Sequence, residues 1–435
     1  MVTSFEPMSI GTPGSPAPVS AASSPAIPVR VKVCILAAIV LLIAARKPES
    51  FTHPQFYAAD GGVFFQDAFN HGAGALFKTY AGYLVLMPRV IALAASWFPL
   101  RFAPLLYNVG ALGVMLWLTW KLMSPRLKLR RGGLLALSLA LLPHTGEVFA
   151  SLANVQWITA LFLLVLLFQD APRTSWELLG DAAMFLAAAM TGPFVILAVP
   201  FFLIRSLDGN WRTERLRFVL IVGVAMFAAI QVLAIKLNKQ PLLGAAPDWR
   251  TWPRIAGARI AGTLFLPPTV SAHIPSWALL AISALLPAGL VAMRFRAAES
   301  AAVSASPPSN DLLALVLLLS FGALVMLASF WKLGGTAHTL VFPANADQYF
   351  FIPKLMIVWS AIQCTDIRGW CARWSQGMLG LALLASVVSF QAPSPGAPAD
   401  WPETAARIER GELTDIAIKP AGWLIHLQHR GKNAR

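Results

Sequence analysis

The sequence is poor in charged residues. Asp, Glu, Lys and Arg make up 12% of its 435 residues, whereas about 25% is usual for a soluble domain. Hydrophobic residues reach 57%, and the mean hydropathy is +0.65. This balance excludes an ordinary soluble enzyme, a disordered chain and a nucleic-acid-binding protein. The apolar residues also stand in long blocks, which predicts an all-α helix bundle that crosses a membrane several times.

Cysteine and the common nucleotide and hydrolase motifs are also scarce or missing. The three cysteines, Cys34, Cys364 and Cys371, follow neither a metal-binding spacing nor a disulfide framework. The sequence contains no Walker A motif, no GxGxxG after a strand, no HExxH and no GxSxG. These absences argue against an ATP-driven pump and against a cytosolic nucleotide-sugar enzyme.

Basic residues are plentiful, but they are concentrated in short loops. Five lie in 121–131, four in 205–217, two in 294–296 and two in 368–373, while the loops at 144–153 and 191–192 have none. Loops rich in Lys and Arg stay in the cytoplasm. We therefore predict a multi-pass protein of the bacterial inner membrane, with its N-terminus in the cytoplasm and its C-terminus outside. The predicted eleven spans are 31–45, 102–123, 134–150, 155–168, 178–190, 194–204, 218–237, 277–293, 312–331, 349–363 and 377–390.

Three regions follow from composition. Residues 1–28, rich in Pro and Ser, are predicted to form a disordered cytoplasmic tail. The long tail favours a retained first span over a cleaved signal peptide ending near Ala45. Residues 29–390 form the transmembrane domain, with a long outer loop at 46–101. Residues 391–435 form a small extracytoplasmic element, in which the alternating stretch 416–420 predicts a strand.

The apolar segment 84–100 is predicted to lie along the outer surface of the membrane. It contains Met87-Pro88-Arg89, and a Pro–Arg pair is costly in lipid. A crossing here would also reverse the orientation of every basic loop downstream. We therefore expect an interfacial helix rather than a further span.

Two acidic residues on the outer side are candidates for catalysis. Asp60 precedes Gly61-Gly62, which allow close backbone approach. Its carboxylate could take a proton or hold a metal, or could simply cap a helix starting at the glycines. Asp67, seven residues on, is expected on a solvated face. Glu147 closes the third predicted span, where an ionisable group usually faces a cavity.

Polar, aromatic and cationic residues gather at the same outer edge. His144 precedes Glu147, Asn154 and Trp157 open the next span, and Gln348 and Tyr349 open a later one. An amide and an indole beside a carboxylate suit sugar recognition, although Trp is also common at membrane interfaces. Arg89, Lys332 and Lys354 could hold a lipid phosphate or extend towards lipid headgroups. These side chains are the predicted substrate-binding residues.

The layout resembles the GT-C class of integral membrane glycosyltransferases. The shared parts are a first span, a long outer loop with an acid near its start, an interfacial helix, and a span that ends in a basic loop. Several stretches also look like a group of largely uncharacterised bacterial membrane proteins that resemble this class. These are AADGGVFFQDAFNHGAGALFKTYAGYLVLMPRVIA, ASLANVQW, MTGPFVILAVP and DQYFFIPKLMIVW.

The resemblance implies inverting transfer of a sugar from a polyprenyl-phosphate donor. The acceptor would be an envelope glycan, lipid or protein. Membrane lipids would surround the protein and contact its helices. Asp60 would act as general base, Glu147 could orient a sugar, and Arg89, Lys332 or Lys354 would stabilise the departing lipid phosphate. The class often has two adjacent acids where this chain has Ala59-Asp60. This departure counts against metal binding more than against base catalysis, and a divalent metal is the one cofactor considered for this site.

Two other functions stay open on the sequence alone. A transporter or flippase of lipid-linked glycans would place polar groups on broken helices, and Thr191-Gly192-Pro193 is such a break. A non-catalytic membrane protein of envelope assembly would need no active-site geometry. A turnover that depends on Asp60 would distinguish the transferase from both.

Overall fold

The computed structural model describes residues 27–207, 215–238, 249–271, 273–303, 311–341, 346–367, 369–390 and 400–428. Most of the predicted tail, residues 1–26, lies outside these ranges. Most of the described residues are helical, and their strands form only two short antiparallel hairpins, which confirms the all-α prediction. The structure thus contains a helix bundle with little sheet.

The α-helices of the described residues are α1 (Val29–Arg46), α2 (Glu49–Thr52), α3 (Gln66–His71), α4 (Leu86–Ala95), α5 (Ala103–Leu122), α6 (Gly132–Leu141), α7 (Val155–Phe168), α8 (Ser175–Ala189), α9 (Phe194–Ser206), α10 (Arg215–Leu237), α11 (Trp252–Arg259), α12 (Ala261–Leu264), α13 (Pro268–Ser271), α14 (Ser276–Val303), α15 (Asp311–Leu333), α16 (Gln348–Cys364), α17 (Trp370–Val388) and α18 (Trp401–Glu409). A π-helix covers Asp60–Phe65, and 3-10 turns cover Gly72–Phe77, Leu100–Phe102 and Gly334–Val341. Strands β1 (Thr79–Tyr80) and β2 (Tyr83–Leu84) form one hairpin, and β3 (Asp415–Ile418) and β4 (Trp423–His426) form the other.

Five helices in the described part are long and apolar enough to cross a membrane. They are Leu100–Leu122, Arg215–Leu237, Ser276–Ala297, Asp311–Leu333 and Trp370–Val388. A helix rises 1.5 Å per residue, so about 20 residues span a hydrocarbon layer of about 30 Å. Other predicted spans coincide with shorter helices, such as α6 with 10 residues and α7 with 14. The helices thus indicate a membrane protein, and the count of eleven spans stays a prediction.

The third predicted span is shorter than the sequence indicated. It was expected over 134–150, but α6 ends at Leu141. Leu142 has an extended backbone, with ψ 132°, because a residue before proline is driven out of the helical region and Pro143 cannot continue the ladder. His144 and Glu147 therefore lie in an irregular segment rather than on a helix.

The predicted outer loop, residues 46–101, folds into short helices and a hairpin. Helix α4 lies within the segment 84–100 that was predicted to be interfacial. It has only 10 residues, too few to cross a bilayer. Before it, the π-helix continues directly into α3. A π-helix is rare and often occurs at functional sites. It places Asp60 at its first residue.

The C-terminal element packs on this loop. Strand β3 lies in the region where alternation predicted a strand, and the Ala58 N–H donates to the Lys419 carbonyl at 2.6 Å. A Cβ added to Gly61 would lie 2.7 Å from Ile418 Cδ1, so the glycine permits the hairpin to sit against the π-helix. The close approach expected at Gly61 is therefore made by the protein's own C-terminal hairpin.

The break at 191–193 is tied to the same loop. The Gly192 N–H donates to Leu84 O at 2.9 Å, and the Leu86 N–H donates to Met190 O at 2.9 Å. The buried amide of Gln231 on α10 also donates to Ala189 O at 3.1 Å and accepts from the Leu84 N–H at 3.0 Å. These bonds join α4, the α8–α9 turn and α10. The break at 191–193 is therefore the place where the loop 46–101 is hydrogen-bonded to the helix bundle.

Candidate functional site

The candidate site is built around the irregular segment 142–154, which joins α6 to α7. Most of its residues are buried. Buried backbone outside a helix needs hydrogen-bond partners from elsewhere. Here charged side chains from distant parts of the chain supply many of them.

Cations from α1, from the residue after it and from α16 bind the carbonyl groups of this region. Arg46 is 1% exposed and Lys354 is 0% exposed, so each must be compensated within the protein. Arg46 donates to Ala140 O at 3.0 Å, Leu142 O at 3.1 Å and His144 O at 2.5 Å, Lys47 donates to Phe149 O at 2.9 Å, and Lys354 donates to Pro143 O at 3.2 Å. The predicted phosphate ligand Lys354 is therefore partly engaged by the protein backbone.

Asp60 binds the other end of the segment. Its Oδ1 accepts the Ala153 N–H at 2.6 Å, and its Oδ2 accepts the Leu152 N–H at 3.2 Å. The side chain is 5% exposed and does not cap the helix that it begins. The capping interpretation is thus wrong for that helix, because the carboxylate satisfies amides just before α7 instead.

The environment of Asp60 disfavours its charge. Burial raises the pKa of its carboxyl group to about 6, although the two amide hydrogen bonds and the nearby Lys47 ammonium lower it. Desolvation therefore outweighs the favourable contacts. The group titrates close to neutral pH.

This shift predicts a pH-dependent stability. The folded pKa of about 6 lies above the ordinary value of 3.8, so the stabilisation is fully present below pH 3.8 and is lost as the pH rises through 6. The difference between the folded and the ordinary pKa is about two units, which corresponds to about 3 kcal/mol in the free energy of unfolding. We expect Asp60→Asn to lack this loss, as measured by unfolding in detergent between about pH 4 and pH 7. Glu403→Gln, an exposed carboxylate on α18, should keep the wild-type curve; parallel curves for wild type and Asp60→Asn would contradict the assignment.

Asp347 is the centre of a second set of contacts, just before α16. Its Oδ1 accepts from Arg259 at 2.7 Å and from Lys354 at 2.8 Å, and its Oδ2 accepts the Thr145 N–H at 2.8 Å. His144 Nε2 lies 3.5 Å from Oδ2. Burial alone would raise the pKa of Asp347. His144, Lys354 and Arg259 lower this pKa by more than burial raises it, so the net shift is downward.

Glu147 is the least engaged of the three carboxylates. Its Oε2 faces the Gln348 N–H at 3.4 Å, and the Asp347 N–H also acts on it. Asn154 Nδ2 donates to the Glu147 backbone carbonyl at 2.9 Å. The side chain is half-buried, so it can meet a molecule from outside.

Aromatic rings border this region. The ring of Trp157 meets Tyr349 edge-on at 5.3 Å and Phe194 at 5.0 Å. Among the described residues, the Trp157 indole N–H has no hydrogen-bond acceptor. Lys332 Nζ lies 4.3 Å from the centre of the Tyr83 ring and donates to Ala81 O at 3.4 Å. Lys332 therefore contacts the β1–β2 hairpin.

Arg89 is committed elsewhere. Its guanidinium donates to Asp67 at 2.7 Å and lies over the Phe64 ring at 5.0 Å. Lys78 donates to the same carboxylate at 2.6 Å. The expectation of a solvated Asp67 is therefore incomplete, because this residue anchors Arg89.

A metal does not fit these donors well. Within the described ranges, no three His, Cys, Asp or Glu side chains gather as a metal ligand set. Both Asp60 oxygens accept backbone N–H groups, which point positive charge at the lone pairs that a metal would need. We derive no step through a metal.

The structure thus brings together Asp60, His144, Glu147, Asn154, Gln348 and Lys354, with Trp157 and Tyr349 beside them. Four contributors were not predicted as site residues: Arg46, Lys47, Arg259 and Asp347. The first two stand where α1 ends and looked like ordinary flanking cations, and Arg259 stood in a long outer segment. Its complete burial, at 0% exposure, and its 2.7 Å bond to Asp347 mark Arg259 as part of the site.

Comparison with known proteins adds no family. No protein-family model, no curated protein and no solved structure matches this chain.

Proposed function

We propose that this protein is an integral membrane glycosyltransferase of the bacterial inner membrane. It moves a sugar from a polyprenyl-phosphate donor to a glycan, lipid or protein acceptor on the extracytoplasmic face. The observation that supports this is the convergence of acids and cations on segment 142–154. Among the described residues, three carboxylates and four cations meet there: Asp60, Glu147 and Asp347, with Arg46, Lys47, Arg259 and Lys354.

This set of side chains suits glycosyl transfer from a lipid phosphate. The acceptor hydroxyl must lose a proton, which a carboxylate can take. The leaving phosphate gains negative charge, which nearby cations stabilise most strongly where water is excluded. The half-buried ring of Tyr349, which packs on the buried Trp157 ring, offers an apolar surface to a sugar ring. The proposal gives a role to each chemical type in the site.

The test is donor turnover in lipid nanodiscs. Purified protein is mixed with a panel of polyprenyl-phosphate sugars and native envelope extract as acceptor, and released polyprenyl phosphate is measured. We expect release from at least one donor with wild type. Release should fall to background in the double variant Asp60→Ala/Glu147→Ala, because the one remaining carboxylate, Asp347, is held by Arg259, Lys354 and the Thr145 N–H.

The matched control is Glu403→Gln, which removes an exposed carboxylate on α18 and should turn over like wild type. Thermal unfolding in detergent checks that each variant is folded. A folded wild-type protein that releases nothing from any donor would overturn the proposal. Equal release by the double variant would do the same.

A further inference from the structure

The three carboxylates at segment 142–154 differ in how many of their lone pairs are occupied. Asp347 accepts hydrogen bonds from Arg259, Lys354 and the Thr145 N–H, all at 2.8 Å or less. It is 1% exposed. Removing its charge would leave buried cations uncompensated, so it is a structural counter-ion.

Asp60 is also committed to the protein. Each of its oxygens accepts one backbone N–H, the shorter bond being 2.6 Å. The side chain is 5% exposed, so an acceptor hydroxyl that reached it would have to displace an amide contact or enter closed protein. A displaced Leu152 or Ala153 N–H would be buried without a partner, at a cost of about 1–3 kcal/mol. This arrangement limits the access of a substrate hydroxyl to Asp60.

Glu147 has the opposite character. It is half-buried, and its contact with the Gln348 N–H is long at 3.4 Å. The Asp347 N–H also acts on it, but the side chain is not closed off by the protein, so a hydroxyl group from outside can reach it. The titratable groups that act on Glu147 come from α1's end, the first loop, α11 and the start of α16, and they are Lys47, Tyr57, Arg259, Asp347 and Tyr349.

We propose that Glu147 is the catalytic residue that accepts the proton of the acceptor hydroxyl, and that Asp60 is a positioning residue. This inference rests on the proposed glycosyl transfer. It assigns the base to a residue other than the one that the GT-C resemblance implies. The reason is geometric: the open carboxylate is Glu147, and the occupied one is Asp60.

The step balances as follows. The acceptor oxygen forms a bond to the anomeric carbon of the sugar, from the face opposite the lipid phosphate. The bond between that carbon and the phosphate oxygen breaks, and its electron pair leaves with the polyprenyl phosphate. The hydroxyl proton passes to a Glu147 oxygen and is later released to water. No oxidant, reductant or further co-reactant is needed.

Asp60 acts on this step through the backbone. Its carboxylate fixes the amides of Leu152 and Ala153, and the neighbouring Asn154 side chain fixes the Glu147 carbonyl at 2.9 Å. From the other side, Asp347 fixes the Thr145 N–H. Hydrogen bonds on both sides of Glu147 thus fix the backbone that carries it.

The experiment compares Glu147→Gln, Glu147→Asp and Asp60→Asn in the nanodisc turnover assay. We expect Glu147→Gln to lower kcat about 10²–10⁴-fold, the usual contribution of a general base, with unchanged thermal unfolding. Glu147→Asp should recover part of this loss. Asp60→Asn should lower kcat less, while the acidic limb of its pH–rate profile stays at the wild-type position, because Glu147 still titrates.

A second measurement does not depend on turnover. A water-soluble carbodiimide with an amine should label Glu147 and spare Asp60, as read by mass spectrometry of the folded protein. The inference is overturned if Asp60 is labelled and Glu147 is not, or if Glu147→Gln retains turnover while folded Asp60→Asn has none. A wild type with no turnover from any donor overturns the proposed function as well, so the two failures are distinct.

Discussion

Replacement of Asp347 by asparagine is expected to lower the free energy of unfolding by about 3–5 kcal/mol. Asparagine has nearly the same shape, but it cannot balance the charges of Arg259 and Lys354, which are both 0% exposed. Removing one partner of a buried ion cluster leaves the others desolvated without compensation. We therefore expect thermal unfolding in detergent at a clearly lower temperature.

The control variants for Asp347 separate charge from shape. Asp415→Asn breaks an exposed pair with His426 and should change unfolding little, since exposed pairs contribute little. The double variant Asp347→Asn/Lys354→Met should recover part of the loss, because one uncompensated cation is gone. Equal stability of Asp347→Asn and wild type would show that the ion cluster of Asp347, Arg259 and Lys354 does not stabilise the fold.

Replacement of Trp401 by alanine should have an effect of similar size. The side chain is 3% exposed, its ring meets Phe56 edge-on at 4.6 Å and Phe65 at 5.6 Å, and its indole N–H donates to Leu100 O at 2.9 Å. Deleting such a buried ring costs about 3–5 kcal/mol. Phe65 belongs to the π-helix that starts at Asp60, so we also expect donor turnover to fall about 10²-fold through misplacement of the site.

The matched control for Trp401 is Trp97→Ala. Trp97 follows α4 and is 79% exposed, so its removal creates no cavity. Unfolding temperature and nanodisc turnover are measured for both variants. If Trp401→Ala unfolds and turns over like Trp97→Ala, the C-terminal element has no part in positioning the Asp60 helix.

The helices were the most predictable part of the protein. Hydropathy and proline placement are local properties, so the helical segments could be read from the sequence. Helix α4 was expected near 84–100, and a strand was expected at 416–420. The end of α6 was missed because apolar residues resume at 148–150, and in the sequence-based interpretation they outweighed Pro143 and the polar residues that follow it.

The site was predictable only as a set of residue types. Glu147, His144, Asn154, Gln348 and Lys354 were named from their position at the outer ends of apolar segments, and they do come together. Arg89 did not join them, because Asp67 holds it instead. Which charge meets which could not be predicted, since the partners lie far apart in the chain.

The sequence by itself determined that this is a helical membrane protein, because too few charges and long apolar runs cannot form a soluble domain. The tertiary structure alone decided the chemical state of each acid. Asp60, Glu147 and Asp347 are similar carboxylates in the sequence, and they differ only in the backbone amides and cations that surround them. Those neighbours come from α1, α11, α16 and the segment 142–154, so only folding could bring them into contact. Burial then makes the contacts decisive, because an ion withdrawn from water depends on its immediate partners.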